Sequence, residues 1–497
     1  MSGRGFLPGR RALLLGTAVA APAILYRLPK FWSAEGIAAP MPAAAVPQSA
    51  PVDTTGLTRF SVDQYCDGTV RGNTAGMKAL ADAVMKARGG VISFTPRKEY
   101  VVGVQAFAPN HFGVWQFSRL LEISGCTKAV VIQGNGARIK FANGLRFGTF
   151  DPKTGKPTRN KQPFYDERQQ SFPAYTMIGF SDNKGPIVLQ DIELDGNAGA
   201  FIYGGPFGDT GWQLPADGLV LTNNTGGIRI ENVRAHHFPR DGAQILDKVT
   251  PGSRSARAVF TNVAFENNGR QGLSVVGGRG YRFVNCKFNG TGFDVPQRSA
   301  PTAGVDMEQE SGIIRDIEFI NSEFVGNYGP ATLAVGDVAD VRYEGCSLSG
   351  PGWAFWVGSA VRTIFEKCTF TGSGTNGGGN ENPALATRFV DCLFTDNPRL
   401  MPKGVTSFAS AYVPDLGGGS INILFDRCRW DMTSAKAGLP YTYSNTIYRD
   451  CTMKNTAGPS VTLGRYLGNN VVTGPANLAG AVIVGRVLLN GRLLPRS

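Results

Sequence analysis

The stretch Tyr281–Gly290, YRFVNCKFNG, is one copy of a short pattern that recurs along the chain. Each copy has a central Cys, Ser or Val, with an apolar residue three positions before it and another two positions after it. The closest copies are 22 to 24 residues apart, and the wider gaps contain insertions. The central residues are Val233, Val263, Cys286, Ser322, Cys346, Cys368, Cys392, Cys428 and Cys451.

A second short strand precedes several of these copies. Its versions are DGLVL (217–221), DGAQIL (241–246), QGLSVV (271–276), AGVDME (303–308) and PATLAV (330–335). One coil of about two dozen residues cannot bury its own apolar face, whereas stacked coils bury a continuous core. The 65 Gly and 30 Phe residues also favour short strands, many turns and apolar filling. The sequence therefore predicts an all-β chain folded as a single-stranded parallel β-helix.

The cysteines support the same arrangement. Six of the eight are central residues of the repeat, and only Cys66 and Cys126 lie outside it. Equivalent side chains on stacked coils point the same way about 4.8 Å apart. A disulfide needs Cβ atoms about 3.8 Å apart and a near-right-angle torsion. We therefore expect a ladder of buried thiols, and the spacing contains no zinc or redox motif.

The first residues of the chain have the pattern of a targeting segment. Arg10 and Arg11 precede an apolar run over 12–26, which is short for a membrane span. The pattern resembles a twin-arginine export signal, and a plain membrane anchor or a Sec signal is the alternative. It predicts a periplasmic or secreted protein, with membrane contact only through this segment if it is not cleaved. The predicted divisions are 1–37 signal or anchor, 38–56 Ala/Pro-rich linker, 57–470 β-helix domain and 471–497 C-terminal capping strands.

The chain carries a net charge of +12. A strongly basic balance indicates an anionic partner, such as an acidic polysaccharide, a nucleic acid or an anionic membrane surface, unless the protein is simply basic. The basic residues are scattered over many coils, and no aromatic-plus-basic motif of a known module is present. We therefore expect an acidic polysaccharide as the partner and no nucleic acid.

The segment 67–103 adds a family resemblance. Met77, Leu80 and Val84 share one helical face, Asn73-Thr74 are placed to cap a helix, and Gly89-Gly90 are placed to stop it. The order Asp-Gly, helix, Gly-Gly and strand resembles the opening of pectate-lyase-like β-helix proteins. The resemblance covers about residues 60–460. It implies a right-handed β-helix with a short N-terminal capping helix, but no single reaction, because such folds host lyases, hydrolases, epimerases and phage tailspikes.

Alternation along the second strand predicts which side chains face outward. Gly218, Gly242, Gly272 and Gly304 open successive strands. Two positions later we expect an outward column of Val220, Gln244, Ser274, Asp306 and Thr332. Two positions further we expect a second outward column of Leu246, Val276, Glu308 and Ala334. Asp306 and Glu308 are thus predicted to project to solvent, on the face where enzymes of the resembled superfamily bind saccharide.

This face supplies the candidate site residues. Asp306 and Glu308 would be about 6.6–7 Å apart at the backbone, which suits the roughly 6.5–9.5 Å of an inverting glycosidase pair. They are equally suited to hold Ca²⁺, or to be solvated residues paired with an arginine. The predicted catalytic residues are Asp306, Glu308, His237 and Asp241, with His237 as a candidate base. The predicted substrate-binding residues are Arg240, Gln244, Arg270, Gln271, Ser274 and Arg279.

These features predict an exported carbohydrate-active enzyme. Its expected substrate is an acidic, uronate-containing polysaccharide, cleaved by hydrolysis or by β-elimination, with Ca²⁺ at Asp306 and Glu308 as the one cofactor considered. The characteristic motifs of polygalacturonases and the Asp-Pro-His motif of mannuronan epimerases do not identify a subfamily here. A different class of function stays open: a non-catalytic β-helix that binds, or helps to assemble, a surface polysaccharide.

Overall fold

The computed structural model describes most of the chain from Val52 onward. The described ranges are 52–109, 113–158, 167–205, 214–251, 257–349, 353–357, 360–372, 374–375, 377–397, 421–433, 445–456 and 460–497. The predicted export signal and residues 38–51 of the predicted linker lie outside these ranges. Within them, no helix combines the length and the apolar character needed to cross a membrane.

The capping helix spans Val70–Lys86 and buries Met77, Leu80 and Val84, as predicted. The predicted Asn73-Thr74 cap is wrong, because the helix begins one turn earlier. Thr69 is the N-cap, and its hydroxyl accepts a hydrogen bond from the Gly72 amide at 2.9 Å. Asn73 and Thr74 instead tie the helix to the first coil. The Asn73 amide donates to the Val101 carbonyl, and the Thr74 hydroxyl accepts from the Gly103 amide.

The strands stack into three parallel sheets. Sheet 1 contains Arg59–Ser61, Gly90–Ser93, Ala258–Thr261, Ile314–Ile320, Val338–Glu344, Val361–Glu366, Arg388–Val390, Leu424–Asp426, Ile447–Arg449, Arg465–Leu467, Val482–Ile483, the first parts of Val130–Phe141, Ile187–Asp195 and Ile228–His236, and the end of Gln271–Val284.

Sheet 2 contains Leu121–Ser124, Thr176–Ser181, Asp217–Thr222, Asp241–Leu246, the start of Gln271–Val284, Ala303–Glu308, Thr332–Val335, Trp353–Val357 and Gly374–Thr375. Sheet 3 contains Glu99–Val102, the ends of Val130–Phe141, Ile187–Asp195 and Ile228–His236, then Ala264–Glu266, Glu323–Phe324, Ser347–Ser349, Thr369–Thr371, Leu393–Thr395, Arg429–Asp431, Thr452–Lys454, Asn469–Thr473 and Arg486–Leu489.

The remaining elements flank these sheets. A small side sheet contains Ala106–Phe107, Trp115–Gln116, Arg146–Thr149, Gln170–Ser171 and Ile202–Gly204. Ser460–Val461 pairs with Ala476–Asn477, Arg492–Leu493 folds back antiparallel at the end of the stack, and short 3-10 turns span Val62–Gln64, Glu167–Gln169 and Ala198–Ala200. The parallel stack continues past residue 470. The predicted right-handed parallel β-helix with an N-terminal capping helix is confirmed.

Each coil turns from sheet 1 to sheet 3 at one residue with left-handed backbone. This residue immediately precedes the central residue of the repeat. It is Asn in the coils at 232, 262, 285 and 321, with φ between 47° and 53°. Asn tolerates this conformation better than most residues, which explains why the repeat has a small or polar residue there.

The core is filled by an aromatic column. Neighbouring ring centroids in this column are 4.5–5.4 Å apart, and every ring in it is buried. Such offset contacts between large rings add to the free energy gained by burying their area. The column contains Phe283, Phe319, Tyr343, Phe365, Phe389, Phe425, Tyr448 and Tyr466.

The predicted thiol ladder is also confirmed. All eight cysteines are described, and all are free and buried. Each ladder thiol lies 3.3–3.6 Å from a backbone carbonyl of the neighbouring coil, as a weak S–H donor would. At the one polar replacement, the Ser322 hydroxyl accepts from the Cys286 amide.

We expect these thiols to be unreactive in the folded protein. Burial raises the pKa of Cys286 and of Cys451 to about 12, so almost no thiolate is present at pH 8. A colorimetric thiol reagent should therefore detect eight thiols after denaturation and few before it, and reductant should leave the melting temperature unchanged. Fewer than eight thiols in the denatured chain, or a melting temperature that falls in reductant, would contradict the free ladder.

Candidate functional site

The strand register of sheet 2 agrees with most of the first predicted outward column. Val220, Gln244, Ser274 and Asp306 pair across four successive coils, as predicted. The fifth member is wrong, because Asp306 pairs with Leu333 and not with Thr332. Thr332 pairs with Val305 on the core side, where its hydroxyl lies 2.9 Å from the Tyr343 hydroxyl.

The second predicted column is also shifted by one residue in two places. Leu246 pairs with Gly277 instead of Val276, because the strand has an irregularity after Ile245. Glu308 pairs with Val335 instead of Ala334. At Leu246 the displacement arises because an extra residue in a strand reverses the side of every residue after it. At Glu308 it arises because the whole strand Thr332–Val335 is offset by one residue from the predicted alignment.

A column of glycines positions the strand starts against the core. A Cβ on Gly218 would lie 2.9 Å from the Phe238 ring and 3.0 Å from the Ala235 Cβ. Neither neighbour can yield easily, because both are packed in the core. Gly therefore lets the backbone pass close to the core just after Asp217. Gly242 does the same after Asp241, where a Cβ would meet the Asn268 side chain.

These strand starts gather charged and amide side chains at the corner between sheets 3 and 2. We call the group the polar cluster: Asp217, Arg240, Asp241, Arg270, Gln271 and Asp306. Arg270 Nε donates to Asp241 Oδ1 at 2.8 Å, and a second guanidinium nitrogen donates to Asp241 Oδ2. The Gln271 amide donates to the Asp306 carboxylate. Asp241 and Arg270 are both fully buried.

Arg240 joins two carboxylates of the polar cluster. Its Nε lies 3.6 Å from Asp217 Oδ1 and 3.7 Å from Asp241 Oδ2. The Asp241 backbone amide also donates to Asp217 Oδ1 at 3.2 Å. The Arg240 side chain is 14% exposed, whereas that of Arg270 is wholly buried. Arg240 is therefore the cation of the cluster that lies at its solvent edge.

The electrostatics of the polar cluster centre on Asp217. Burial raises the pKa of Asp217 to about 7, with a further contribution from the Asp241 carboxylate, while Arg240 and Arg270 oppose the rise. Burial by itself lowers the pKa of Arg270, but the Asp241 carboxylate outweighs it and holds that pKa above the usual arginine value. Arg270 therefore stays charged, and Asp217 changes protonation near neutral pH.

Several predicted residues of this face differ from their expected exposure. Asp306 is 1% exposed, so it does not project to solvent as predicted, and its carboxylate accepts from the Gln271 amide instead. Gln244 and Ser274 are buried with it. Glu308, at the strand end, is partly exposed. Arg270 cannot hold a substrate carboxylate as predicted, because it is buried and already bound to Asp241.

Arg279 lies outside the polar cluster. An irregularity near Gly277 carries the long strand Gln271–Val284 from sheet 2 to sheet 1, where Arg279 pairs with Arg315 in register. The Arg279 side chain is 41% exposed, and its Nε lies 2.6 Å from Asp316 Oδ2. The prediction that Arg279 belongs with the substrate-binding residues is therefore not supported by its position.

His237 belongs to a second group, which lies at the sheet 3 end of the strand Ile228–His236. Its Nδ1 lies 2.6 Å from His236 Nδ1, and His236 Nε2 lies 2.8 Å from Glu193 Oε1. His236 Nδ1 also lies 3.8 Å from Asp195 Oδ1. Burial lowers the pKa of His236, and the hydrogen bond with Glu193 opposes that fall. We call Asp195, His236 and His237 the histidine cluster.

The described residues test where a cation would fit. Among them, the histidine cluster is the one group of three or more His, Cys, Asp or Glu side chains whose ligand atoms converge. Calcium takes six to eight oxygen ligands. Asp306 already accepts the Gln271 amide, and Glu308 is the only other carboxylate predicted there. Calcium at Asp306 and Glu308 therefore stays a prediction without a converging third carboxylate in the described ranges.

The loop over 288–303, before the Asp306 strand, lies against the turn that carries Arg270. The Ser299 amide donates to the Gly269 carbonyl, and the Gly292 amide donates to the Asn268 carbonyl. These bonds hold the loop over the turn that carries Arg270. The loop also presents Phe293, which is 45% exposed, and its ring centroid is 5.9 Å from that of Tyr328, which is 44% exposed.

Sequence reasoning missed Asp217, His236, Asp195 and Glu193 as site residues. Asp217 had a signal, since DGLVL begins with the same Asp-Gly as DGAQIL, whose Asp241 was selected. Asp195 and His236 are register partners in adjacent coils. Aligning IELDGN with VRAHHF would have placed them together, but only once the coil length between them was known.

No protein-family model matches this chain, and no curated protein matches it. Solved structures with a similar fold exist at low sequence identity. The A-module of mannuronan C-5 epimerase AlgE4 from Azotobacter vinelandii is 16% identical, with a TM-score of 0.43, over 86% of this chain and 99% of that one. The tailspike protein of Escherichia coli bacteriophage HK620, solved in complex with pentasaccharide, is 12% identical, with a TM-score of 0.37, over 87% of this chain and 78% of that one.

A third similar structure is a tailspike protein from the Acinetobacter baumannii bacteriophage Fri1, described as a capsular polysaccharide depolymerase. It is 11% identical, with a TM-score of 0.35, over 88% of this chain and 65% of that one. The parallel β-helix of this chain is established by its own strand pairings.

Proposed function

We propose that this chain acts on an acidic polysaccharide at the polar cluster. The observation that carries the proposal is a carboxyl group, Asp217, whose pKa is raised to about 7 beside a partly exposed arginine. A carboxyl that titrates near neutral pH can donate or accept a proton under physiological conditions. Groups perturbed by burial and by a specific charged partner are enriched at functional sites.

Four residues of the polar cluster have a proposed role. Asp217 is the general acid or base. Arg240, at the solvent edge, pairs with a uronate carboxylate of the substrate. Asp241 and Arg270 are positioning residues, because their salt bridge fixes the charge next to Asp217. Hydrolysis and β-elimination both need such a proton transfer. The polar cluster therefore supports cleavage of the polysaccharide but does not distinguish between the two reactions.

The exposed aromatic pair Phe293 and Tyr328 is proposed as a platform for sugar rings. Arg298 lies 3.4 Å above the Tyr328 ring and holds it in place. Phe293→Ala should weaken polysaccharide binding about fivefold, because an exposed aromatic face that packs on a sugar contributes about 1 kcal/mol. Affinity electrophoresis measures the change.

The matched control for Phe293→Ala is Leu493→Ala, which removes an apolar side chain that is 59% exposed at the far end of the stack. It should leave the affinity unchanged. Equal affinities for wild type and Phe293→Ala would remove the aromatic pair from the proposed binding face.

One observation favours a second function, a non-catalytic β-helix that binds polysaccharide. Asp241 and Arg270 are fully buried and satisfy each other, which is also what a structural ion pair does. In that case the cluster stabilises the coils, and binding uses the aromatic pair and the surface basic residues alone. Cluster variants would then alter stability without altering any product.

The deciding experiment incubates the purified protein with a panel of uronate-containing and neutral polysaccharides, with Ca²⁺ and with chelator. New reducing ends and ultraviolet absorbance are followed together. Both signals indicate β-elimination, and reducing ends alone indicate hydrolysis. Saturable binding with neither signal supports the non-catalytic function. A Ca²⁺ requirement would support the metal role predicted for Asp306 and Glu308.

The proposed function also includes export of the chain from the cytoplasm. We infer a periplasmic or secreted location from the basic and apolar pattern over 1–37, because large acidic polysaccharides of cell surfaces are found outside the cytoplasm. Fractionation of cells that express the whole chain, with Arg10→Lys and Arg11→Lys as variants, tests the twin-arginine route. Export that survives the double variant would favour the Sec or anchor alternative.

A further inference from the structure

The histidine cluster has the features of a metal site, separate from the polar cluster. Asp195 and His236 are register partners at the ends of adjacent sheet 3 strands, and both are 4% exposed. His237 follows directly and is partly exposed. One ligand atom from each of the three side chains lies within 4.8 Å of the other two.

The backbone at His237 makes this convergence possible. Consecutive residues of an extended strand point to opposite sides, so two adjacent histidines would ordinarily diverge. His237 has φ of +53°, which ends the strand and turns its ring toward His236. The two rings are nearly perpendicular, with an interplanar angle of 84°, and their Nδ1 atoms face each other at 2.6 Å.

Glu193 orients His236 so that its Nδ1 atom can act as a metal ligand. A carboxylate can only accept a hydrogen bond. In the neutral ring the proton is therefore on His236 Nε2, which donates a hydrogen bond to Glu193 Oε1 at 2.8 Å. The His236 Nδ1 lone pair then points into the cluster. Metal-bound histidines generally donate a hydrogen bond from their second ring nitrogen to a carboxylate or carbonyl in this way.

Asp195 is held in a fixed orientation as well. Its Oδ2 accepts from Arg138, and its Oδ1 accepts from the Asn197 amide at 2.8 Å while facing His236 Nδ1. The nearby charges include Glu99 and Glu193 as well as Asp195, against Arg138 and Arg234. A divalent cation would therefore enter surroundings with more carboxylates than arginines.

We propose that Asp195, His236 and His237 bind one divalent transition-metal ion, of the zinc class. Two imidazole nitrogens and a carboxylate oxygen are a ligand set that suits Zn²⁺, Co²⁺ or Ni²⁺ and not calcium. Three protein ligands leave a fourth position for water or for an oxygen of a bound molecule. This inference goes beyond the proposed function and does not depend on it.

Calorimetric titration of the tag-free whole chain with Zn²⁺, after treatment with chelator, tests the proposal. We expect one ion per chain, and Co²⁺ should give the visible absorption of a tetrahedral site. His237→Asn should weaken Zn²⁺ binding at least a hundredfold. Asn suits this position because Asn267, in the next coil, has the same φ of 53°. Glu193→Gln should weaken binding about 10- to 100-fold.

Glu323→Gln is the matched control, because it neutralises a sheet 3 carboxylate whose side chain is 46% exposed. It should bind Zn²⁺ as wild type does. Thermal melts of each variant without metal show whether the fold is kept, and Zn²⁺ should raise the melting temperature of wild type but not of His237→Asn. Absence of saturable binding to wild type would overturn the proposal, as would equal affinity of wild type, His237→Asn and Asp195→Asn.

Discussion

Arg270→Met is expected to lower the free energy of unfolding by about 3–5 kcal/mol, because it leaves the buried Asp241 carboxylate without its partner. Arg270 and Asp241 are both fully buried and share two hydrogen bonds, so water cannot replace the lost charge. Met has a similar length and fills much of the same volume. Denaturant unfolding followed by circular dichroism measures the loss.

The control for Arg270→Met is Arg279→Met, in which the ion pair with Asp316 is exposed. Exposed pairs contribute at most about 1 kcal/mol, so this variant should unfold nearly as wild type does. The double variant Arg270→Met/Asp241→Leu should recover most of the lost stability, because no uncompensated charge remains. Similar small losses for Arg270→Met and Arg279→Met would show that the buried pair is unimportant.

Asp217→Asn is expected to reduce polysaccharide turnover by about 10²- to 10⁴-fold if the polar cluster performs the proposed proton transfer. Asn keeps the size of the side chain but cannot donate or accept the proton. When Asp217 acts as the acid, wild-type kcat should fall as the pH rises through about 7, since the protonated form is then lost. The pH profile of kcat and the single-variant rates are the measurements.

The same carboxyl predicts a pH dependence of stability. In the folded protein the pKa of Asp217 is raised from the ordinary aspartate range to about 7, so the folded state binds the proton more tightly than the unfolded state. Its stabilising effect is full below about pH 4 and is lost as the pH rises to about 7. Asp217→Asn should therefore gain stability relative to wild type across that interval. Asp316→Asn, at an exposed carboxylate, is the control and should show no such trend.

An Asp217→Asn enzyme with full turnover would contradict the catalytic assignment while leaving the pH effect on stability intact. The reverse result, lost turnover with no change in the stability profile, would mean that Asp217 contacts substrate without its pKa being raised by burial. The two measurements thus separate the chemistry of Asp217 from its electrostatic environment.

The repeat was enough to predict the fold. A central thiol with apolar neighbours at fixed offsets can only be buried in every copy if the copies stack, and Cys346, Cys368 and Cys392 do stack in this way. The outward column from Gln244 to Asp306 followed from alternation alone. The spacing of residues within the repeat therefore predicts the stacked sheets and most of the register between their strands.

Burial of that outward column was not predictable in the same way. Alternation gives the direction of Asp306 but not what lies above it. The loop over 288–303, which bonds to Gly269 through Ser299, likewise has no repeating pattern from which its position could be predicted. The histidine cluster was missed for a related reason, since Asp195 and His236 are 41 positions apart in the chain and meet only through the register of adjacent coils.

The aromatic column has a consequence for how such a chain changes over evolution. Every coil from Phe283 to Tyr466 presents a ring to the coil before it and a ring to the coil after it. Losing or duplicating one entire coil, such as the 22 residues from Cys346 to Lys367, would rejoin matching surfaces. The length of the β-helix can therefore change by whole coils during evolution, while the polar cluster and the histidine cluster near its middle stay unchanged.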